Sequence, residues 1–346
     1  MKRLVTVIII IFLLAIPVSA HSIEAPEAPS SAQIYMPDEQ QSLGDGLWYI
    51  FKQAIIHLQP ELTEAARVVL TLLAIAILTS IFRSFSSMAK PTVELVSVLC
   101  VAVALVSSAN SMINLSVHTV NEIIEYGKLL LPVMTAALAT QGGITTSTAL
   151  YTGTTIFSTV LSVAVSKLII PCIYVYMVLC IGFHAIGEEV LKNLRDFSKW
   201  LITWCLKTLL YVFTGYLSVT GVISGTTDAT TLKAAKLTLS STVPVVGNII
   251  SDASETILVS AGLVKNTVGT YGLLAVAAIW VGPFIQIGTQ YLMLRITGGI
   301  CSTIGSNGAT GLINDSAGIM GIMVALTGIV CLLLLVSTIC FMKGVG

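Results

Sequence analysis

Charge is what this chain most lacks. Asp, Glu, Lys and Arg make up 10% of its 346 residues, with 17 acidic and 17 basic, against roughly 25% in ordinary soluble domains. That scarcity excludes a soluble domain, and the balance of signs leaves no net field to attract nucleic acid or an acidic ligand. Chemical engines are missing too. The sequence has no G-x-x-x-x-G-K-[ST] phosphate loop, no H-E-x-x-H zinc helix and no G-x-S-x-G elbow. Its seven cysteines, Cys100, Cys172, Cys180, Cys205, Cys301, Cys331 and Cys340, include no C-x-x-C pair. They read as small apolar fillers rather than a disulfide frame or a zinc site. We therefore expect no enzyme activity, no metal and no cofactor. Energy for any transport has to come from a gradient or a separate protein.

What the chain has is apolar length, 55% of it hydrophobic. The opening MKRLVTVIIIIFLLAIPVSA joins two basic residues, a short apolar core and a small-x-small ending. It reads as a signal peptide over residues 1–20, with an uncleaved anchor as the alternative. Residues 21–46 hold Glu24, Glu27, Asp38, Glu39, Asp45 and three prolines without a Lys or Arg, which predicts a flexible acidic leader outside the cytoplasm. From Leu47, apolar residues recur at Ile50, Phe51, Ala54, Ile55, Leu58 and Leu62. This spacing predicts an interfacial amphipathic helix over 47–65, followed by a multi-pass helical membrane domain over 66–346.

Measured against the roughly 20 apolar residues that cross a bilayer, the clearest spans are Arg67 to Phe82, Thr92 to Ala109, Leu201 to Ser224, Gly269 to Arg295 and Ile319 to Phe341. Arg83 and Lys90 follow the first span, which places that loop in the cytoplasm. Residues 110–125 then read as an outer interfacial helix. In EEVLKNLRDFSKW, residues 188–200, the apolar residues share one face and Lys192, Arg195 and Lys199 the other. This predicts a cytoplasmic amphipathic helix whose basic face meets partners.

Two passages look interrupted. LLLPVMTAALATQGGITTSTALYTGTT, residues 129–155, carries Pro132 near its start and runs into Gln141, Gly142 and Gly143. From Thr140 to Thr159, ten of twenty residues are Ser or Thr. Small hydroxyl residues suit close helix packing, and they also suit an unwound or re-entrant element that lines a path. If the stretch crosses, three crossings separate Glu125 from Glu188; if it is re-entrant, one does. The second passage, residues 243–265, begins at Pro244 and Gly247 and carries Asp252 and Glu255 three apart, with Lys265 and Asn266 at its end. Ionisable residues at membrane depth are costly, so they are usually paired or functional. Pro132 and Pro171 are separated by 39 residues, as are Pro244 and Pro283, a pattern compatible with paired halves of a repeat-built core. Residue identity between the halves is poor.

The stretch KAAKLTLSSTVPVVGNIISDASETILVSAGLVKNTVG, residues 233–269, resembles the stage III sporulation protein AE family of endospore-forming bacteria. The resemblance rests on VPVVG, the acidic element from Asp252 to Thr256, and LVKNTVG. It extends to LLLP, QGG and SKLIIPCIYVYMVL at residues 166–179. It implies a polytopic protein of the mother-cell membrane around the forespore, one subunit of a channel or secretion-like complex that supports late forespore development. It further implies other membrane subunits, a separate cytoplasmic ATPase and a forespore-membrane partner, alongside the lipid bilayer and without nucleic acid. No family active site transfers. The candidate functional core is therefore Pro132, Gln141, Gly142, Gly143, Pro244, Gly247, Asp252, Glu255, Lys265 and Asn266. The alternative is a self-sufficient transporter of a small solute or ion, with Asp252 and Glu255 as coupling carboxylates.

Overall fold

The computed structural model describes residues 25–37, 42–85, 90–141, 143–242, 247–304 and 307–343, and the side chains of 218–264 lie outside that description. The segment expected as a signal peptide also falls outside it, as do Gly142 and Pro244. Among the described residues the chain forms nine α-helices: α1 (Ser30–Gln33), α2 (Leu43–Ile56), α3 (Leu58–Phe85), α4 (Lys90–Thr140), α5 (Ile144–Ala164), α6 (Ile170–Ile186), α7 (Glu189–Thr242), α8 (Gly247–Ile304) and α9 (Asn307–Lys343). A π-helical turn, Val165–Ile169, joins α5 to α6. Six stretches are long and apolar enough to cross a membrane: Leu58–Phe85, Pro91–Thr140, Ile144–Ile186, Glu189–Leu217, Lys265–Ile304 and Asn307–Lys343. The protein is an all-α polytopic membrane protein.

Local chemistry sets most boundaries. Ser42 caps α2, accepting from the Asp45 amide at 3.3 Å while its hydroxyl donates to the Asp45 carboxylate at 2.7 Å. The expected interfacial helix stops at Ile56 rather than near residue 65. In a continuous helix the Pro60 ring would collide with the Ile56 carbonyl, so the chain breaks at His57 and starts again as α3. The π turn has the same origin. Pro171 has no N–H to return to Lys167, and one surplus residue widens the turn so that Ile170 bonds to Val165 instead. At Gly187 the backbone is left-handed, with φ of 81°, and its N–H closes on the Phe183 carbonyl at 2.8 Å. That turn folds α7 back under α6.

The expected interfacial helix over 110–125 is instead the middle of α4. No Gly or Pro occurs between Thr92 and Tyr126, so nothing breaks the helix. At about 1.5 Å per residue, its 51 residues run ~77 Å, far beyond a hydrocarbon core of about 30 Å. The helix continues through Pro132, whose exposed ring costs one backbone hydrogen bond, a loss that membrane helices tolerate where neighbours cover it. Residues 129–140 are thus the last turns of α4, and a single passage, α5 to α6, separates Glu125 from Glu188.

Contacts fix the two ends of the bundle. At one end Glu94 Oε1 accepts the Gly308 amide at 3.1 Å, and His184 and Arg195 meet Asp315. At the other, Gly269 lies against Met134 and Met342, and Gly272 against Leu130. Arg83, Lys90, Lys192, Arg195 and Lys199 belong to the first end, so it is the basic one. The central helix is α9, apolar all round and buried along its length, as a helix with no polar face must be. Residues 25–37 of the expected leader dock near the far end. Ala28 and Ala32 are buried, the Ser31 hydroxyl donates to Glu122 at 3.0 Å, and Tyr126 donates to the Pro26 carbonyl at 3.3 Å.

Candidate functional site

From Ile144 onward the hydroxyl-rich run forms an unbroken helix, α5. Several of its hydroxyls return to their own backbone: Ser147 and Thr148 to Ile144 at 3.0 and 2.8 Å, and Thr159 to Thr155 at 2.9 Å. A hydrogen bond between the Thr154 and Ser337 hydroxyls, 3.0 Å apart, crosses between helices, both side chains buried. Gly153 leaves space for the Tyr216 ring, whose hydroxyl donates to the Ala149 carbonyl at 2.7 Å. The cavity that Thr154 and Ser158 line is about 20 Å³ and otherwise bounded by residues such as Phe157, Phe213 and Leu334. That volume holds one water. Small hydroxyl residues here serve close packing, the first of the two readings of the run.

The other candidates separate. Gln141 ends α4 with its Oε1 buried and without a hydrogen-bond partner, and the break is confined to Gln141–Gly143. Gly247 opens α8, and Asp252 and Glu255 follow within it, their side chains outside the description. Lys265 is buried and Asn266 exposed. Packing brings the first passage against α8 just beyond the second: Pro132 lies between Leu130 and Met134, which contact Gly272 and Gly269. The second prolines of the two pairs do not occupy equivalent places, since Pro171 lies at the start of α6 after the π turn and Pro283 deep inside α8.

The basic triplet divides as well. Lys192 pairs with Glu189 at 3.2 Å on the surface. Arg195, with a side chain 16% exposed, turns into the bundle, where Nη1 donates to Asp315 Oδ2 at 3.0 Å. The same oxygen accepts His184 Nε2–H at 2.8 Å, the ring proton lying on that nitrogen because a carboxylate beside arginine only accepts. Arg195 also bonds Asp196 at 2.8 Å and covers the Phe183 ring, its Cζ 4.5 Å from the centroid. Lys199 leans over Gly318 towards Asp315. Tyr176 and Cys180 lie buried against the cluster. Gly311 allows His184 to approach, because a Cβ there would overlap the ring.

These groups join α6, α7 and α9 through one carboxylate. Asp315 is the sole acid of α9; sequence reasoning passed over it, and a lone acid in so apolar a helix is the signal that could have found it. Its partners, 184 and 195 in the sequence, were not deducible from spacing. While Arg195 faces inward, Leu194, Phe197, Trp200 and Trp204 are exposed, with the Trp rings stacked 6.2 Å apart. In a lipid-facing helix this inversion of the soluble pattern is expected.

Six apolar passages, a buried central helix and an ion cluster closing one end define a polytopic membrane bundle built for tight association. Its sequence places it further. The chain matches the family described as Stage III sporulation protein AE over residues 37–346, and it belongs to that family. It is 23% identical over 220 residues to Stage III sporulation protein AE of Bacillus subtilis (strain 168), covering 64% of this chain and 55% of that relative. The match therefore spans about half of the relative's length. No solved structure matches the chain.

Proposed function

We propose that this sporulation-family membrane protein is a scaffold-like subunit of a channel or secretion-like complex between mother cell and forespore, seated in the mother-cell membrane around the forespore. The observation that carries the reading is the family match over nearly the whole bundle, joined to an interior whose core is packed rather than open. A path for cargo then forms between this chain and other membrane subunits. A separate cytoplasmic ATPase at the basic end supplies energy, with Lys192 at the start of α7 in its contact surface. Helices α7 and α8 continue past Leu217 and before Lys265. The extension of α8 carries Gly247, Asp252 and Glu255 towards a forespore-membrane partner in the space between the membranes, with Lys265 and Asn266 at the start of its span.

The test is co-purification of the tagged full chain from sporulating cells. Other membrane subunits and an ATPase are expected in the eluate; recovery of none of them removes the proposal. Solute uptake by the purified chain alone in proteoliposomes, abolished by Asp252→Asn, would establish the transporter alternative instead. A second expected outcome concerns α5. In a cysteine-free background, Thr154→Cys and Ser158→Cys resist membrane-impermeant thiol reagents, because the cavity beside them admits one water. Rapid labelling of both would reveal an aqueous path through the chain itself.

A further inference from the structure

The seam between α3 and α4 changes character along its length. At its outer end is a cleft of about 230 Å³ lined by Glu61, Glu64, Arg67, Ser107, Ser111 and Gln290. Gln290 is buried and donates to Ser108 at 2.9 Å, and the Gln286 amide bonds the Glu61 carboxylate, so α8 forms a fixed polar back wall. Neither Glu64 nor Arg67 has an ion-pair partner among the described residues. At its inner end the same seam opens as a groove of about 370 Å³ lined by Ile75, Leu78, Phe82, Val93, Val96 and Cys100. A hydrogen bond of 3.1 Å between the buried hydroxyls of Thr79 and Ser97 closes its floor.

Spacing makes the cleft and the groove one feature. Glu61, Glu64, Val68, Leu72, Ile75, Thr79 and Phe82 recur at three- and four-residue steps, hence on one face of α3. From Glu64 to Ile75, and from Ser111 to Cys100 on α4, the separation is eleven residues, or about 16 Å of helix. That is half of a hydrocarbon core about 30 Å thick. Charge is ordered along the same line. The two carboxylates are outermost, and Arg67 is about one helical turn deeper. The geometry points to a site for one phospholipid with an ethanolamine-type headgroup. The ammonium meets Glu61 and Glu64, the phosphate meets Arg67 and the seryl hydroxyls, and an acyl chain lies along the seam into the apolar groove. A lipid with a phosphate but no ammonium pairs with Arg67 and leaves the two carboxylates without a cationic partner, which is the basis of selectivity.

The full-length protein is purified, delipidated and offered dioleoyl phosphatidylethanolamine or dioleoyl phosphatidylglycerol, and retained lipid is counted by native mass spectrometry. One phosphatidylethanolamine per chain is expected, retained at least about tenfold better than phosphatidylglycerol, the effect of one charge-assisted contact. Glu61→Gln with Glu64→Gln abolishes that preference, Arg67→Gln weakens both lipids, and Val96→Trp, which blocks the groove, excludes both. The Val96→Trp and carboxamide variants change different parts of the seam, so a folding failure in one leaves the other informative. Equal retention of the two lipids by the unmodified chain overturns the proposal. So does equal thermal stabilisation by soluble O-phosphoethanolamine, which would make the cleft a solute site without a role for the groove.

Discussion

Replacing Asp315 with Ala is expected to lower the unfolding free energy by about 3–5 kcal/mol, the usual cost of stranding the partners of a buried ion pair. Asp315 Oδ2 is bonded by both His184 and Arg195, whose side chains are only 11% and 16% exposed. Without the carboxylate, the guanidinium stays charged in a confined site. His184 loses its acceptor, and α6 and α7 lose their polar tie to α9. Thermal or denaturant unfolding in detergent measures the loss. Asp315→Asn retains an acceptor oxygen but no charge, and falls between the parent and Asp315→Ala. A loss below about 1 kcal/mol for Asp315→Ala would place the cluster among screened surface pairs. The cluster would then not be the clamp described above.

The second large effect is at the opposite end, where close packing does the fastening. A Cβ at Gly272 would lie 2.7 Å from Leu130 Cδ2, and Leu130 is fully buried. Gly272→Ala alone therefore forces α8 from α4 and costs about 1–3 kcal/mol. Leu130→Ala alone leaves a void and costs about 2–5 kcal/mol. Combined, the new methyl enters the space that leucine vacated, so the pair costs less than the sum of the two. A double-mutant cycle measured by unfolding reports the coupling. Additivity within about 0.5 kcal/mol would show that the two positions do not touch.

Element type was legible in this sequence, and element length was not. Apolar content and the scarcity of charge predict an all-helical membrane protein, and six spanning helices answer that expectation. The polar residues Asn110, Asn114, Glu122 and Glu125 suggested a helix lying flat, yet they belong to a continuous α4. Polarity along a helix reports its surroundings, whereas only Gly, Pro or a cap reports its end. Pro132 shows the converse: the helix absorbs it, and α4 ends at Thr140, just before Gln141, where the interruption was expected. Arg195 could be assigned to a basic face, but that this face looks inward depends on where Asp315 sits, 120 residues later. Long-range pairing of that kind leaves no local periodicity to read.

The π turn at Val165–Ile169 has a consequence for how the two ends of the bundle are phased. Each residue turns an α-helix by about 100°, so the surplus residue sets the rotational phase of α5 against α6. Above it, Thr154 faces Ser337; below it, Tyr176 and His184 face Asp315. All of these partners on the facing side belong to α9, a helix without such a turn. One residue of slack thus lets a single membrane passage stay in register with α9 at both ends, like a shim between two parts cut to different pitches.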